Sequence, residues 1–399
     1  MRRGLTIFAI WAAGLGAAAQ FGKMSVAFPA LEHVYSGHSA AGYAAHSAVA
    51  IGLLLSVVGM VGLVFGTTAG LIVARIGARR ALVAALLLGA AISLVQASFP
   101  PYPVMLLTRV LEGASHLAIV VVGPTAIAGL AVARFQGAAM TLWSSFFGVA
   151  YAVLFWIGPD FIVVHGPGAL FALHAGWMAL LAAILWRLLP ADDTNTPHPP
   201  IGSLWAAHRA IYASPWLAAP AMGFVCYTVT YVAVLTLLPA QMGEMGSFIG
   251  VAMPLVSIAV SLTLGVWLLG RMPAVHLVQA GYAAAILAAF GLWLTWAGPL
   301  APGFALGIAA SLGIVQGASF AALAQLNPEP EDRAKAAGAI AQLGNLGTTS
   351  GTPLLVWAME KAGHTGLALF LIGFSALGIA IHAAQKRRRQ LSAEPRPLR

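Results

Sequence analysis

Charge is what this sequence has least of. Of its 399 residues, 8% are Asp, Glu, Lys or Arg and 60% are hydrophobic, with a mean hydropathy of +0.89. A soluble chain of ordinary composition carries roughly 25% charged residues. A soluble globular fold is therefore excluded, and a polytopic helical membrane protein is indicated. Short segments of alternating hydrophobicity are missing, which excludes a membrane β-barrel. Cysteine occurs once, at Cys226, so intrachain disulfides and cysteine-bound metal clusters are excluded. No H-E-x-x-H or H-x-x-x-H pattern falls within an apolar run, and no glycine-rich loop ends in Lys-Ser/Thr. Metalloprotease chemistry and ATP drive are thereby set aside. No enzyme activity, cofactor or metal is expected. Glu32, His33, His38 and His46 gather near the first outer loop, but a loop does not fix ligand geometry for a metal.

What is present is a series of long apolar runs. Twelve lie at 5–28, 42–72, 80–98, 103–131, 137–159, 168–190, 212–239, 246–269, 274–297, 303–326, 335–358 and 365–385. The expected fold class is an all-α membrane protein of twelve transmembrane helices. The opening "MRRGLTIFAIWAAGLGAAAQ" has the basic head and apolar core of a secretory signal. Cleavage would spoil the charge alternation described next, so this stretch is read as the first span.

The basic residues orient the chain. With the N-terminus in the cytoplasm, 17 of the 20 Lys and Arg residues fall inside: Arg2, Arg3, Arg75, Arg79, Arg80, Arg134, Arg187, Arg209, Arg271, Arg333, Lys335 and the tail from Lys386 to Arg399. Only Lys361 falls outside, and Lys23 and Arg109 lie within spans. The positive-inside rule thus predicts cytoplasmic N- and C-termini in a multi-pass inner (plasma) membrane protein. It also explains the excess positive charge without a nucleic-acid partner. The expected partners are the lipid bilayer, a small-molecule substrate and protons, with the chain working as a monomer.

The longest polar stretch, "PADDTNTPHPPIGSLWAAHRA" from Pro190 to Ala210, reads as a cytoplasmic linker. It divides the chain into an N-terminal six-helix bundle (1–190), a linker (191–210), a C-terminal six-helix bundle (211–385) and a basic cytoplasmic tail (386–399). The two halves echo each other: "EGASHLA" at Glu112–Ala118 resembles "QGASFAA" at Gln316–Ala322, at equivalent helices. Each is followed by a loop opening on Arg134 or Arg333. A duplicated six-helix unit is the reading. Gly62, Gly66 and Gly70 in span 2 and Gly344, Gly347 and Gly351 in span 11 form small-residue stripes that let helix backbones approach. They serve either ordinary packing or contact between the halves of a rocking transporter.

Six spans, a linker and six spans resembles the major facilitator superfamily of transporters. That family carries G-x-x-x-D-[RK]-x-G-R-[RK] between spans 2 and 3. Here Gly70 to Arg80 reads "GLIVARIGARR", in which Gly70, Arg75, Gly77 and Arg79 match and Arg80 adds a further cation. Ala74 stands where the family has Asp, and Ala78 where Arg is common. The resemblance implies a cytoplasmic gate at these residues. The missing Asp leaves its lock without a carboxylate, and the acidic "EPED" at Glu329–Asp332 is the expected substitute. Span 4 matches R-x-x-[QE]-G through Arg109, Glu112 and Gly113. The antiporter motif of span 5 is poorly met: Gly148, Gly158 and Pro159 are present, but Asp160 and Phe161 follow. Arginines that nitrate-type members carry in spans 2 and 8 are missing. The general look is similar to the cyanate and nitroimidazole transporter-like branch.

Ionisable groups inside a bilayer are costly unless paired or wetted, and they mark pathways. Arg109, Glu112 and His116 are spaced i, i+3, i+7 on one helix face. Counting about 1.5 Å per residue puts Lys23 of span 1 at a similar depth. In the resembled fold, spans 1, 4, 7 and 10 line the central cavity. The expected substrate-binding residues are therefore Lys23, Arg109 and His116 from one half and Tyr227, Tyr231 and Gln316 from the other. Glu112 is the expected proton carrier. Two cations around one carboxylate favour an anionic or zwitterionic solute. The bland alternative is that Arg109 and Glu112 neutralise each other structurally, that His116 is a hydrogen-bonded packing residue, and that the tyrosines only pack. At the level of function, the reading is a proton-coupled secondary transporter of a small organic solute working by alternating access. A proton-driven drug or metabolite exporter, and a non-transporting scaffold or biosynthetic partner on the same fold, stand beside it.

Overall fold

The structure is a computed structural model, and it describes residues 2–36, 46, 48–192 and 203–392. His38, residues 193–202 of the linker and the end of the basic tail lie outside the described residues. The described residues are helical almost throughout. In hydrocarbon every backbone N–H and C=O must be satisfied within its own segment, and helices do this.

In chain order the helices are α1 (Arg2–Val26), α2 (Phe28–Tyr35), α3 (Ala48–Ile76), α4 (Ala78–Ala97), α5 (Tyr102–Leu130), α6 (Gln136–Ser144), α7 (Phe146–His165), α8 (Pro167–Leu188) and α9 (Leu204–Ala213). There follow α10 (Ala218–Leu237), α11 (Gly246–Val260), α12 (Val266–Leu269), α13 (Ala274–Leu294), α14 (Ala301–Leu326) and α15 (Pro330–Leu391). Ten continuous helical stretches are long and apolar enough to cross a membrane by length and composition. The 62-residue α15 is one of these, yet it bends at Ala362–Gly363, where Gly363 takes φ +55°, and so supplies two crossings. Helix α3, apolar over Val57–Val73, supplies another. Twelve crossings result, as the apolar runs predict.

The differences from the predicted spans have local causes. Span 5 is broken at Ser145 into α6 and α7. Span 8 contains a π-helical turn at Ser261–Gly265 between α11 and α12. Part of the expected linker is helix: α9 starts at Leu204, where the Ser203 hydroxyl accepts from the Ala206 N–H at 3.4 Å. Prolines 124, 159, 254 and 353 sit inside crossing helices, as neighbouring helices allow.

The chain forms two compact units, Met1–Leu130 with Phe146–Pro199, and Ala131–Ser145 with Pro200–Arg399. In the first, α4 lies along α8 and α5, α3 lies along α5, and α1 lies against α5, α7 and α8. In the second, α10 runs beside α15, α13 beside α14 and α15, and α14 beside α11 and α6. The span 11 glycines work inside this second unit. A side chain at Gly347 would meet the Val225 carbonyl oxygen at 2.9 Å, and one at Gly351 would overlap the Val229 carbonyl. Outward faces are apolar, with Trp156, Val163 and Leu287 at 81%, 85% and 71% exposure. That is the surface lipid requires and water would penalise.

Candidate functional site

Lys23, Arg109 and Glu112, three residues distant in sequence or depth-matched only by counting, meet in the interior of the first unit, each at 0% exposure. Lys23 comes from α1, and Arg109 and Glu112 from successive turns of α5. The Lys23 Nζ lies 2.5 Å from Glu112 Oε1, while Arg109 Nη1 donates to Glu112 Oε2. Gln96 Nε2 on α4 donates to the same Oε2 at 2.9 Å. Glu112 thus accepts from three donors on three helices.

Arg109 is also a cross-brace. Its Nε donates to the Leu54 carbonyl of α3 at 2.7 Å, and Nη1 to the Gln20 carbonyl of α1 at 2.8 Å. A planar guanidinium with five N–H donors suits this better than a lysine would. Its Nη2 is buried and has no acceptor among the described residues. Lys23 has two further neighbours: Ser93 Oγ on α4 at 2.5 Å and His174 Nδ1 on α8 at 3.3 Å. Ser93 Oγ and His174 Nδ1 are 2.7 Å apart, and His174 Nε2 sits 2.9 Å from the Gly16 carbonyl. The Phe171 ring lies 5.2 Å from Lys23 Nζ. A buried apolar cluster that includes Met24, Leu31, Tyr35, Ile51, Tyr102 and Phe171 closes the α2 side of the site.

Taken together, the cluster holds two basic side chains against one carboxylate at full burial. Uncompensated charge there costs several kcal/mol or more. The polar shell of Gln20, Ser93, Gln96, Ser115 and His174 spreads this cost: Gln20 Nε2 donates to Ser115 Oγ at 2.9 Å, which donates to the Ala85 carbonyl at 2.7 Å. The sequence reading named none of these five. Polar residues in otherwise apolar runs, with Ser93 and Gln96 one turn apart, were the available signal.

The other expected residues have their own neighbours. His116, one turn beyond Glu112, places Nδ1 3.0 Å from the Ala17 carbonyl and meets the Phe21 ring edge-on at 4.9 Å. It is not among the groups touching the carboxylate. Tyr227 and Tyr231 lie on α10 in the second unit, stacked on each other at 5.0 Å, with Phe224 stacked on Tyr227 at 5.1 Å. Gln316 on α14 donates to the Ser144 carbonyl of α6 at 2.7 Å. His46 stacks on Tyr102 at 4.1 Å. Among the described residues no group of His, Cys, Asp and Glu is arranged to hold a metal ion.

At the α3–α4 turn, in the stretch carrying Gly70, Arg75, Gly77, Arg79 and Arg80, a carboxylate arrives from the end of α8. Asp192 accepts from the Arg79 N–H at 3.0 Å and from the Arg80 N–H at 2.9 Å. It thereby caps the positive end of α4 from a distant part of the chain. Gly77, at φ +92°, leaves the space that a side chain would take from Asp192. The Arg79 guanidinium lies 4.0 Å over the Trp186 ring. On their own helix, Glu331 and Asp332 lie 2.7 and 3.9 Å from Lys335.

A profile of the family described as Major Facilitator Superfamily matches residues 6–352. The inner membrane transport protein YajR of Escherichia coli (strain K12) is 27% identical over 202 residues, which cover 49% of this chain and 43% of that protein. The match thus spans less than half the length of that curated relative. Among solved structures, the family transporter FucP in the outward conformation superposes with a TM-score of 0.76 at 14% identity, covering 96% of this chain and 99% of that one. The proton:xylose symporter XylE superposes with a TM-score of 0.71 at 14% identity, over 96% and 94%.

Proposed function

The chain belongs to the Major Facilitator Superfamily, and on that premise we propose that it is a secondary active transporter of the inner membrane, moving a small organic solute by alternating access with proton coupling. The observation that carries the reading is the buried cluster of Lys23, Arg109 and Glu112. A packing device would pair charges one to one. Here two cations share one carboxylate at full burial. Such an arrangement is costly to keep and responds to any change of charge nearby, which suits it to coupling.

The cluster's net charge of +1 supports an anionic or zwitterionic solute over a cation, as does Arg109 Nη2, which has no acceptor among the described residues. Lys23 and Arg109 are enclosed by their own bundle, so they act on the solute through charge and helix position. Tyr227, Tyr231 and Gln316 remain the proposed solute-side groups of the second unit. Both termini are proposed to be cytoplasmic, on the distribution of Lys and Arg.

The test is uptake of a panel of radiolabelled organic anions into proteoliposomes with an imposed pH gradient. The expected result is accumulation of at least one anion that collapses when a protonophore is added. Accumulation of cationic or uncharged drugs alone would favour the exporter reading. No gradient-dependent movement of any solute in the panel would favour the scaffold.

A further inference from the structure

We infer that Lys23 is the proton-bearing group of the buried cluster, and that Ser93 and His174 are positioning residues that hold it in both of its protonation states. This rests on the reading of the chain as a proton-coupled transporter. It moves the proton from Glu112, the group the sequence points to, onto the lysine beside it.

The hydrogen-bond inventory leads there. An ammonium has three protons, and Lys23 Nζ has three acceptors: Glu112 Oε1 and Ser93 Oγ at 2.5 Å each, and His174 Nδ1 at 3.3 Å. His174 Nε2 faces the Gly16 carbonyl at 2.9 Å. A carbonyl only accepts, so Nε2 carries the ring proton and Nδ1 is bare. The Ser93 hydroxyl, 2.7 Å from Nδ1, then donates to the imidazole while accepting from Lys23.

Now remove one proton from Lys23. The amine keeps two N–H groups, which serve Glu112 Oε1 and His174 Nδ1, and gains a lone pair. Rotation of the Ser93 hydroxyl turns its O–H from Nδ1 to that lone pair. Every polar atom around Nζ has a partner before and after. In the step itself an N–H bond of Lys23 breaks, the electron pair stays on Nζ, and the proton passes to water when the bundle is wetted. The reverse step reloads it, and nothing is oxidised or reduced.

No other member of the cluster offers this. Glu112 already accepts from Lys23, Arg109 and Gln96, so a proton added to it would face three donors. Arginine does not give up its proton in proteins. Charge counting agrees: protonating Glu112 raises the buried charge from +1 to +2, whereas releasing the Lys23 proton takes it to zero. The remaining surroundings do not change the sum. Among the described residues, α4 contributes Ser93 and Gln96, and α3 the Leu54 carbonyl that Arg109 takes. From α7, Tyr151 faces the Arg109 side. His116 of α5 is bonded to Ala17.

The experiment uses the full chain in lipid nanodiscs, with Lys335, Lys361 and Lys386 replaced by Arg so that Lys23 is the only lysine. With 15N-labelled lysine, NMR then follows one Nζ signal across the pH range in which the protein stays folded. The expected result is conversion of the Lys23 signal from ammonium to amine, while infrared spectra of 13C-Glu protein show no carboxylic acid band for Glu112. Ser93→Ala is expected to move the midpoint of this conversion, and Ser93→Thr, which keeps the hydroxyl, to restore it. A Lys23 signal that stays ammonium throughout, or an acid band at Glu112, overturns the inference, as does a midpoint indifferent to Ser93→Ala. No solute is needed, so this outcome and that of the uptake assay are read independently.

Discussion

Removing the carboxylate of Glu112 and removing the amine of Lys23 are both one-charge changes at the same contact, yet the structure makes them unequal. In Glu112→Gln, Lys23 and Arg109 face each other across a neutral amide whose own N–H₂ points at one donor or another. The buried charge rises to +2. Breaking a buried pair by deleting one partner costs about 3–5 kcal/mol, and here the deletion strands two cations. In Lys23→Met, the Arg109–Glu112 pair remains and the buried charge falls to zero. What is lost is the bond to Glu112 Oε1, and those to Ser93 and His174, which bond each other at 2.7 Å and so stay satisfied. An apolar side chain of similar length replaces a buried charge, a change that is often neutral or stabilising. The expected cost is about 1–2 kcal/mol, for the donor lost at Glu112 Oε1, and smaller than that of Glu112→Gln. Arg109→Met falls between. It leaves a neutral Lys23–Glu112 pair but removes the bonds to the Leu54 and Gln20 carbonyls that tie α1, α3 and α5 together, at about 1–3 kcal/mol. Combining Glu112→Gln with Lys23→Met leaves a lone Arg109 and should recover part of the Glu112→Gln loss, since the two sites are in contact and not additive. Equilibrium unfolding in mixed micelles, followed by circular dichroism, ranks the four proteins. Equal losses in Lys23→Met and Glu112→Gln, or a Glu112→Gln protein as stable as the wild type, would refute the charge count on which the argument stands.

Other perturbations test other parts. Asp192→Ala should speed hydrogen exchange at the Arg79 and Arg80 amides and cost about 0.5–2 kcal/mol, as loss of a helix N-cap does; unchanged protection would show that the carboxylate does not hold that turn. Gly351→Leu should prevent normal folding of the second unit, because its side chain would enter the Val229 carbonyl of α10; a well-folded variant with impaired transport would instead assign the glycine to contact between the halves. In a Cys226→Ser background, single cysteines at Ser98 and Glu244 should label from the periplasm, and those at Arg80 and Glu331 only after permeabilisation. Periplasmic labelling at Arg80 would reverse the topology.

The number and type of elements were legible in the sequence because they depend on quantities summed along the chain. A run of apolar residues long enough to span hydrocarbon has no alternative to helix, whatever surrounds it. Orientation is written in the same way, by where Lys and Arg fall between runs. Even the meeting of Lys23 with Glu112 could be read, since a lone charge at that depth demands a partner and two helices of known polarity bring them level. Azimuth could not be read. Which side of α4 and α8 faces α1 is set by how five helices settle against one another, and that alone brings Ser93, Gln96 and His174 to the lysine. The same cause sets what His116 touches: it shares the stripe of Arg109, and one turn beyond Glu112 α1 offers it the Ala17 carbonyl. Asp192 is the furthest case. It lies 113 positions from Arg79 in sequence, and only the return of α8 beside α4 brings it to the first N–H groups of α4.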